Sequence, residues 1–463
     1  MQHQGHRGPH AHREGDADRA HADVQCGPWC FLHAYPRQYV ANKLVCRQHI
    51  SIDGSLDDAA WHEIPFSTDT WEDIAQPLFP DFVLPNAYAT RFKVRWDEDF
   101  LYIGAELGEP YVTGAVTGHN PTLSSPNPTS NSFVPYYDND FEVFVDVSGS
   151  NYYYKEFEMS YLNATYDVFW RVPDGSVPCS DGVTSAWCVN TSATVYPGSW
   201  SMWPRLRTAT AKAEGGWTVE IAMPLRGSES GGGLLDGGPG WERFDPNSGA
   251  KYWLLDFSRA EHPFFTGNSS LLPPLCSLVK ASSPTLLGTD QWSCYYDYVW
   301  QSVGGTKYMH NPDQFGFLQF APHLPHDTKL CRAVEWPARY VLRQVWRVLT
   351  AYAADSGRYA ADIVPLLPQY CTVGNSCNAT DLLEALTTYA GVFNVRIVVD
   401  NSATSCVSYK PKNYTGGPCF AAHANVSLGE GRPRVAGSIR EDRYLEVAPL
   451  GDQRSAPCLV PEA

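Results

Sequence analysis

One pattern recurs along the first two thirds of the chain, from about Tyr35 to Phe320. Short runs alternate apolar and polar side chains, and each run is broken by glycine, proline, asparagine or serine. In a strand successive side chains point to opposite faces, so a period of two indicates strands with one buried face. Several short strands separated by turn residues predict an antiparallel β-sandwich, and we place this domain at residues 34–322. The clearest predicted strands are residues 90–96, 100–107, 136–147, 152–161, 217–223, 252–259 and 315–320.

The pattern changes after residue 327. Residues 333–356 contain no glycine, carry apolar side chains at helical spacing and end before Gly357, which predicts a helix with a glycine after its last turn. A second short helix is predicted to begin at Thr380 or Asp381 and to stop at Gly391, followed by the strand-like runs 395–400 and 443–450. Residues 328–463 are therefore predicted to form a small α/β appendage. The apolar stripe of the first helix comprises Val341, Val345, Leu349 and Tyr352, and we interpret it as core.

Composition limits the partners of the chain. The net charge of -16 disfavours nucleic acid, whose phosphates need lysine and arginine to neutralise them. No run of about 18 apolar residues is present, so no membrane span is expected. Aromatic residues reach 13%, and the many tyrosines and tryptophans suit β-structure and surfaces that stack on flat ligands.

Cysteines and glycosylation sequons suggest an oxidising environment, so we expect a secreted or cell-surface protein. The chain has 13 cysteines, with close pairs at Cys179/Cys188, Cys371/Cys377 and Cys406/Cys419. The sequons are at Asn163, Asn190, Asn268, Asn378, Asn413 and Asn425.

The N-terminal residues do not resemble an export signal. Residues 1–25 lack the apolar run of a signal peptide, and we interpret residues 1–33 as a disordered, His-rich leader. A metal site in this leader is disfavoured because neither its histidines nor its cysteines are followed by a second set of ligands at a zinc-like spacing. The residues concerned are His3, His6, His10, His12, Cys26, Cys30 and His33.

An acidic hairpin is the least expected feature of the predicted sandwich. The run "YYDNDFEVFVDV", residues 136–147, puts Asp140, Glu142, Phe144 and Asp146 on one face. The next strand, residues 152–161, must add Tyr154, Glu156 and Glu158 to that face, because Phe157 and Met159 belong with the apolar side. Glu142 is predicted to pair with Glu158 or with Glu156, and either pairing sets like charges opposite each other at an unfavourable cost.

Three explanations for this charge remain open at the level of sequence, and the simplest is a solvated, salt-bridged outer face. Strand 90–96 carries Arg91, Lys93 and Arg95 on one face, so a basic strand beside the hairpin would neutralise it. Bound Ca²⁺ would serve equally, since this cation prefers clustered carboxylates and carbonyls. The hairpin is also rich in tyrosine, and aromatic rings beside carboxylates and guanidiniums are the groups with which proteins hold sugars.

Several motifs together carry a family resemblance over residues 35–322. In chain order they are "ISIDGSLDDAAW" (50–61), "RFKVRWDEDFLYIGAEL" (91–107), "YYDNDFEVFVD" (136–146), "WTVEIAMPL" (217–225), "WLLDFSRAE" (253–261) and "VWQSVGGTKYMHNPDQFGFLQF" (299–320). The chain resembles family 9 carbohydrate-binding modules and the related DOMON-like domains. The resemblance implies a β-sandwich that binds glycan ends, often with structural calcium, and that frequently accompanies glycoside hydrolases.

The resemblance also implies a set of ligand-binding residues. Glu142 matches the glutamate that holds sugar hydroxyls in the family, and the first stacking ring falls at Tyr136 or Tyr137. Tyr308 and Met309 stand where the second stacking tryptophan is expected, and His310 follows them. Arg259 matches an arginine of the "FSR" stretch that pins an acidic residue from beneath. The predicted site therefore comprises Tyr136, Tyr137, Glu142, Arg91, Glu158, Tyr308 and His310.

The function predicted from these observations is non-catalytic saccharide binding. A glycosidase would need two of the clustered carboxylates, but no accompanying catalytic motif is visible in the sequence. Haem ligation by Met309 and His310 is disfavoured because adjacent residues of an extended segment point to opposite sides. The alternatives are a structural or adhesive extracellular module without a sugar pocket and an accessory domain of a glycoside hydrolase system.

Overall fold

The structure is a computed structural model that describes residues 27–45, 48–74, 86–110, 112, 114, 116–118, 135–170, 200–228, 231–237, 240–262, 296–303, 309–322, 328, 330–373, 376–402, 418–427 and 434–450. It is mainly β, as the alternation predicts, with one large curled sheet and one four-stranded sheet. Among the described helices, none is long and apolar enough to cross a membrane.

The large sheet contains the strands of the predicted sandwich. They are β1 (Gln38–Lys43), β2 (Glu72–Asp73), β3 (Thr90–Trp96), β4 (Phe100–Gly108), β5 (Asp140–Asp146), β6 (Tyr154–Ser160), β7 (Thr165–Trp170), β8 (Arg207–Ala213), β9 (Gly216–Pro224), β10 (Tyr252–Glu261), β11 (Tyr296–Val299) and β12 (Gly316–Ala321). Their main path runs β7-β6-β5-β10-β12-β1-β3-β4-β9-β8, and β11 joins β10 to β2. The pairs are antiparallel except at β1, which runs parallel to both β12 and β3.

The sheet curls so that its two halves face each other across an apolar core. Phe92 on β3 and Phe257 on β10 have ring centroids 4.3 Å apart, although two strands lie between β3 and β10 in the sheet. Phe141 on β5 stacks on the same Phe257. The apolar face of the β5–β6 hairpin therefore points into the sandwich, and its carboxylate face points outward.

The remaining α-helices and strands belong to the C-terminal third of the chain, apart from one short helix. The helices are α1 (Ala59–His62), α2 (Trp336–Ser356), α3 (Leu367–Tyr370), α4 (Ala379–Leu386) and α5 (Ala390–Phe393), and the strands of the second sheet are β13 (Val395–Asp400), β14 (Cys419–Ser427), β15 (Arg434–Arg440) and β16 (Leu445–Leu450). Short 3-10 helices occupy Gly27–Ala34, Asn86–Tyr88, Pro135–Tyr137, Trp241–Phe244, Pro246–Ser248, Pro312–Gln314 and Val364–Leu366. The predicted long helix is confirmed as α2, and Gly357 ends it in the left-handed conformation at φ 70°.

Helix α2 joins the two sheets through a shared apolar core. One side of the helix packs on the second sheet, where Val345 and Leu349 are fully buried. The same core includes Phe144, Leu254 and Phe317 from the outward face of the large sheet. The appendage thus covers one part of the face that carries the carboxylates.

Two expectations from the sequence are wrong in the described residues. The basic strand β3 does not lie beside the acidic hairpin, because β10, β12 and β1 separate it from β5. The leader is not disordered as far as residue 33, since Gly27–Ala34 forms a 3-10 helix and Phe31 packs between Tyr340 and Phe393. The histidines before residue 27 lie outside the described residues.

The structure describes some of the cysteines and sequons that were singled out in the sequence. The disulfide Cys371–Cys377 is present, with its Cα atoms 4.9 Å apart, and Cys331 and Cys419 are also disulfide-bonded. Cys179, Cys188 and Cys406 lie outside the described residues. Asn378 and Asn425 are exposed and Asn163 is half-buried, whereas Asn190, Asn268 and Asn413 lie outside the described residues.

Candidate functional site

The outward face of β5, β6, β10 and β11 carries a group of carboxyl side chains that we call the acidic face. It comprises Asp140, Glu142, Glu156, Glu158, Asp256 and Asp297. Register brings the group together: Glu142 lies directly opposite Glu158 on β6 and opposite Ser258 on β10. The first of the two predicted registers is therefore the one observed, and it sets two carboxylates side by side.

Hydrogen bonds fix several of these carboxyl groups. Ser258 Oγ donates to Glu142 Oε2 at 2.6 Å, and it also lies 2.8 Å from Asp297 Oδ1. The Ala260 N–H donates to Asp140 Oδ1 at 2.8 Å. The Tyr136 N–H donates to Glu158 Oε2 at 3.2 Å. These contacts hold the carboxyl groups in place without neutralising them.

The electrostatics of the face are those of crowded acids. Burial raises the pKa of Glu142 to about 8, and the neighbouring charge of Glu156 acts in the same direction. Burial also raises the pKa of Asp140 and of Glu158, and in both cases the charge of Glu142 adds to the effect. The pKa of Asp297 is raised by burial and by Glu142 as well. A cation placed here would relieve both the desolvation and the repulsion.

Three members of the face are close enough to share such a cation. Ligand oxygens of Asp140, Glu142 and Glu158 lie within 4.8 Å of one another, and all three residues are buried. Asp140 Oδ2 accepts no hydrogen bond from a described group although Asp140 is fully buried. A set of carboxylate oxygens with one unsatisfied acceptor suits a hard cation such as Ca²⁺.

Aromatic side chains border the acidic face on the β6–β7 side. Tyr154 and Trp170 lie opposite each other in register, with ring centroids 5.9 Å apart and planes 8° apart. The His310 ring lies 4.5 Å from the Trp170 ring, and its Nδ1 lies 2.9 Å from the Tyr154 hydroxyl. The Trp170 indole N–H donates to Glu156 Oε2 at 2.5 Å. We call Tyr154, Trp170 and His310 the ring cluster, and Glu156 joins it to the acidic face.

The structure brings some of the predicted site residues together. Glu142 and Glu158 form the centre of the acidic face, and the Tyr136 backbone bonds to it. His310 lies at the other side of the face, in the ring cluster. The side chain of Tyr137 and the whole of Tyr308 lie outside the described part of the chain, so these two positions stay predictions.

Arg91 lies elsewhere. Its Nε donates to Glu106 Oε2 at 2.7 Å, and its guanidinium covers the Phe66 ring at 4.1 Å. The other two basic residues of β3 bind the segment around α1: Lys93 donates to the Trp61 carbonyl and Arg95 to the Ala60 carbonyl. The basic side chains of β3 therefore have partners of their own and do not neutralise the acidic hairpin.

Arg259 has the supporting position that the sequence suggested. It is fully buried, and its Nη2 donates to Glu261 at 2.6 Å and to Glu109 at 3.1 Å. The side-chain amide of Asn139 donates to the same two carboxylates. This network fixes the strand end next to Asp140 from the opposite side of β10.

Several residues of the site escaped prediction. Tyr166 and Trp170 lie on β7, whose run "TYDVFW" alternates and follows the hairpin directly. The period-two pattern of this run could therefore have predicted the strand and the face on which both residues lie. Ser258, Asp256 and Asp297 reach the face only because β10 pairs with β5 and β11 with β10. Nothing local in the sequence encodes those two pairings.

Comparisons with known proteins find similar solved structures at low identity. Neither the protein-family models nor the curated proteins contain a match to the chain. A family 9 carbohydrate-binding module from Caldicellulosiruptor kristjanssonii in complex with cellotriose is 14% identical, with a TM-score of 0.34, over 64% of this chain and 100% of its own. A glucose complex of a module of this family from the same organism is 15% identical, with a TM-score of 0.32, over 62% of this chain and 98% of its own.

A third solved structure is similar to the chain to the same extent. It is a Bacteroides uniformis protein proposed to bind carbohydrate, 14% identical with a TM-score of 0.34, over 62% of this chain and 100% of its own. Identities and TM-scores in this range transfer no ligand and no binding residue. The chemistry of the site has to come from its own side chains.

Proposed function

We propose that this protein is a non-catalytic carbohydrate-binding protein that holds a saccharide over the ring cluster, beside the acidic face. One observation carries the proposal: the half-buried Trp170 lies beside the parallel ring of Tyr154 and against His310 while its indole N–H binds Glu156. Tyr154 is fully buried, so the half-buried rings of Trp170 and His310 supply an aromatic surface next to the carboxylate of Glu156.

The chemistry of this arrangement matches a saccharide. The apolar C–H face of a pyranose packs on aromatic rings, and its hydroxyls donate to carboxylates at the ring edge. Tyr166 adds a hydroxyl on the same face, since it lies opposite Glu158 in register. Burial raises the pKa of Tyr166, and the charges of Glu156 and Glu158 raise it further, so its hydroxyl stays protonated and available as a donor.

We propose further that Ca²⁺ supports the site. Asp140, Glu142 and Glu158 would hold the cation, and its charge would offset the repulsion among them. The ion would order the β5–β6 side of the face on which the saccharide rests. An extracellular location is also proposed, supported by the Cys371–Cys377 disulfide, because such bonds persist in oxidising compartments.

Calorimetric titration of the full chain with neutral oligosaccharides, in Ca²⁺ and in EDTA, tests the proposal. Trp170→Ala should weaken binding by about ten- to a hundredfold, equivalent to ~1.4–2.8 kcal/mol, because it removes the stacking surface. Glu156→Gln should weaken it less, since the amide still accepts from the indole and from a hydroxyl. Binding is expected to be tighter in Ca²⁺ than in EDTA.

Arg91→Ala is the matched control, because Arg91 is a half-exposed charged side chain of the same sheet that lies away from the face. It should leave the affinity unchanged. If a panel of neutral oligosaccharides shows no binding to the wild type in either buffer, the proposal fails and the structural or adhesive alternative takes its place. Equal loss in Trp170→Ala and Arg91→Ala would place the sugar elsewhere.

A further inference from the structure

Three arginines of the appendage converge on one aspartate of the sandwich. Arg343 and Arg347 lie one turn apart on α2, and Arg443 lies in the turn between β15 and β16. All three are buried. Arg347 and Arg443 pair with the carboxylate of Asp313, and Arg343 binds the backbone carbonyl of the same residue. We call these residues the arginine clamp.

The clamp binds the segment 311–314 at several points. Arg443 Nη2 donates to Asn311 Oδ1 and to Asp313 Oδ1. Arg343 Nη1 donates to the Asp313 carbonyl at 2.6 Å. With the side-chain amide of Gln314 oriented so that its oxygen faces Arg347, Arg347 Nη1 donates to that oxygen at 3.3 Å. The segment is thus held through both its backbone and its side chains.

Charge makes this attachment strong. Burial alone would raise the pKa of Asp313, but the charges of Arg443, Arg347 and Arg343 outweigh it and hold the pKa below its ordinary value. The guanidiniums also cover aromatic rings: Arg443 lies 5.2 Å from the Trp346 ring, and Arg343 lies 5.3 Å from the Trp336 ring. A paired and stacked guanidinium fork leaves its partner little freedom to move.

The residue just before the clamped segment is His310. Its ring reaches Trp170 at 4.5 Å and the Tyr154 hydroxyl at 2.9 Å, whereas the preceding Met309 is buried in the core shared with α2. On its other side the segment is tied to the sandwich, since Asn311 Nδ2 donates to the Val303 carbonyl. His310 therefore joins the ring cluster at the end of a segment that the appendage fixes.

We propose that the arginine clamp is a positioning device for the ring cluster, so that the appendage sets the place of His310 and, through it, the affinity for the ligand. The effect on affinity rests on the function proposed above, but the effect on His310 does not. Arg443 is the principal positioning residue, because it alone of the three contacts both Asn311 and Asp313.

The test compares Arg443→Met with Arg440→Met in the full chain. Arg440 is the matched control: it lies three residues away, pairs with Asp442 and stacks on Tyr444. The first readout is the NMR spectrum of isotopically labelled histidine, in which the His310 signals are assigned from a His310→Gln variant. The rings of Trp170 and Tyr154 should shift these signals in the wild type.

In Arg443→Met the His310 signals should lose those ring-induced shifts, and saccharide affinity should fall about tenfold. Arg440→Met should change neither. Arg443→Lys keeps the charge but lacks the fork that reaches two partners, so it should give an intermediate shift, and it serves as the test if Arg443→Met does not fold.

Two results separate the two proposals. If the wild type binds no saccharide but the His310 signals move in Arg443→Met, the proposed function fails and the positioning role stands. If Arg443→Met, or Arg443→Lys in its place, is folded by circular dichroism with His310 signals identical to those of the wild type, the clamp is purely structural and this inference is overturned.

Discussion

Phe144 and Glu142 are two residues apart on one face of β5, yet they meet opposite environments. Glu142 faces Glu158 and Ser258 across the sheet, whereas Phe144 packs in the core that α2 shares with the sandwich. One face of β5 therefore has two roles. It presents carboxylates toward the start of the strand and an apolar contact for the appendage toward its end. One strand face can thus be acidic and still stabilise the fold.

Lys155 is a buried charge on the inner face of the same hairpin. Its Nζ donates to the Tyr153 carbonyl at 3.0 Å and lies 4.5 Å from the Phe169 ring and 4.3 Å from the Trp241 ring. Burial lowers the pKa of Lys155 to about 7, although the charges of Asp146 and Asp236 act the other way. The folded chain then binds fewer protons at this site than the unfolded chain between pH 7 and the ordinary lysine value of 10.5.

Stability should consequently rise with pH over that interval, because the unfolded state binds more protons there. Lys155→Met removes the buried amine and should raise the free energy of unfolding at pH 6 by ~1–2 kcal/mol, with a smaller gain at pH 9. Urea denaturation at the two pH values measures this. Lys212→Met, at an exposed position of β8, should show no such difference between the two pH values. A gain from Lys155→Met that is equal at both pH values would contradict the lowered pKa.

At the scale of elements, local pattern predicted most of the fold. The β5–β6 hairpin, the parity of its faces and the span of α2 all follow from period two or period 3.6 within one segment. The position of β3 does not, because the order of strands in a curled sheet depends on contacts between distant segments. The explanation that sets Arg91, Lys93 and Arg95 beside the hairpin, one of those left open by the sequence, is therefore wrong. These side chains bind Glu106 and the segment around α1 instead.

The arginines of α2 show the same limit. Arg343 and Arg347 lie four residues apart, a spacing that predicts a shared helix face but usually indicates a solvated one. They are buried because the segment around Asp313 packs against them, and that contact joins residues some 30 positions apart in the chain. The parts of the candidate site that depend on such long-range contacts could not be predicted from the sequence.

The apolar stripe of α2 provides a test at this scale. Leu349 is fully buried between α2 and the second sheet, whereas Leu383 on α4 is 43% exposed. Leu349→Ala should lower the free energy of unfolding by ~2–4 kcal/mol, since it removes buried methyl groups and leaves a cavity. The chemically identical change Leu383→Ala should cost less than ~0.5–1 kcal/mol. Chemical denaturation of both variants measures the difference, and equal costs would mean that the stripe is not core.

At the scale of the whole molecule, the sandwich strands do not cover an apolar part of their own outer face. The core around α2 takes Phe144, Leu254 and Phe317 from the large sheet and Trp336 and Val341 from the helix. Tyr35 adds a further link, stacking on Phe317 and meeting Trp336 edge-on. The appendage therefore does two things at once: it covers an apolar part of the sandwich face, and through the arginine clamp it borders the ring cluster.

Residues 34–322 produced alone should consequently fold poorly. Removing 328–463 exposes Phe144, Leu254 and Phe317, each of which contributes ~1.5–3 kcal/mol when buried, and a whole domain is stable by only ~5–15 kcal/mol. The fragment should aggregate or bind a hydrophobic dye, and adding residues 328–463 as a separate chain should reduce the dye signal. The full chain under the same conditions is the reference. A monomeric 34–322 fragment that binds no dye and melts as the full chain does would show that the shared core contributes little, and the sandwich would then be an independent binding domain.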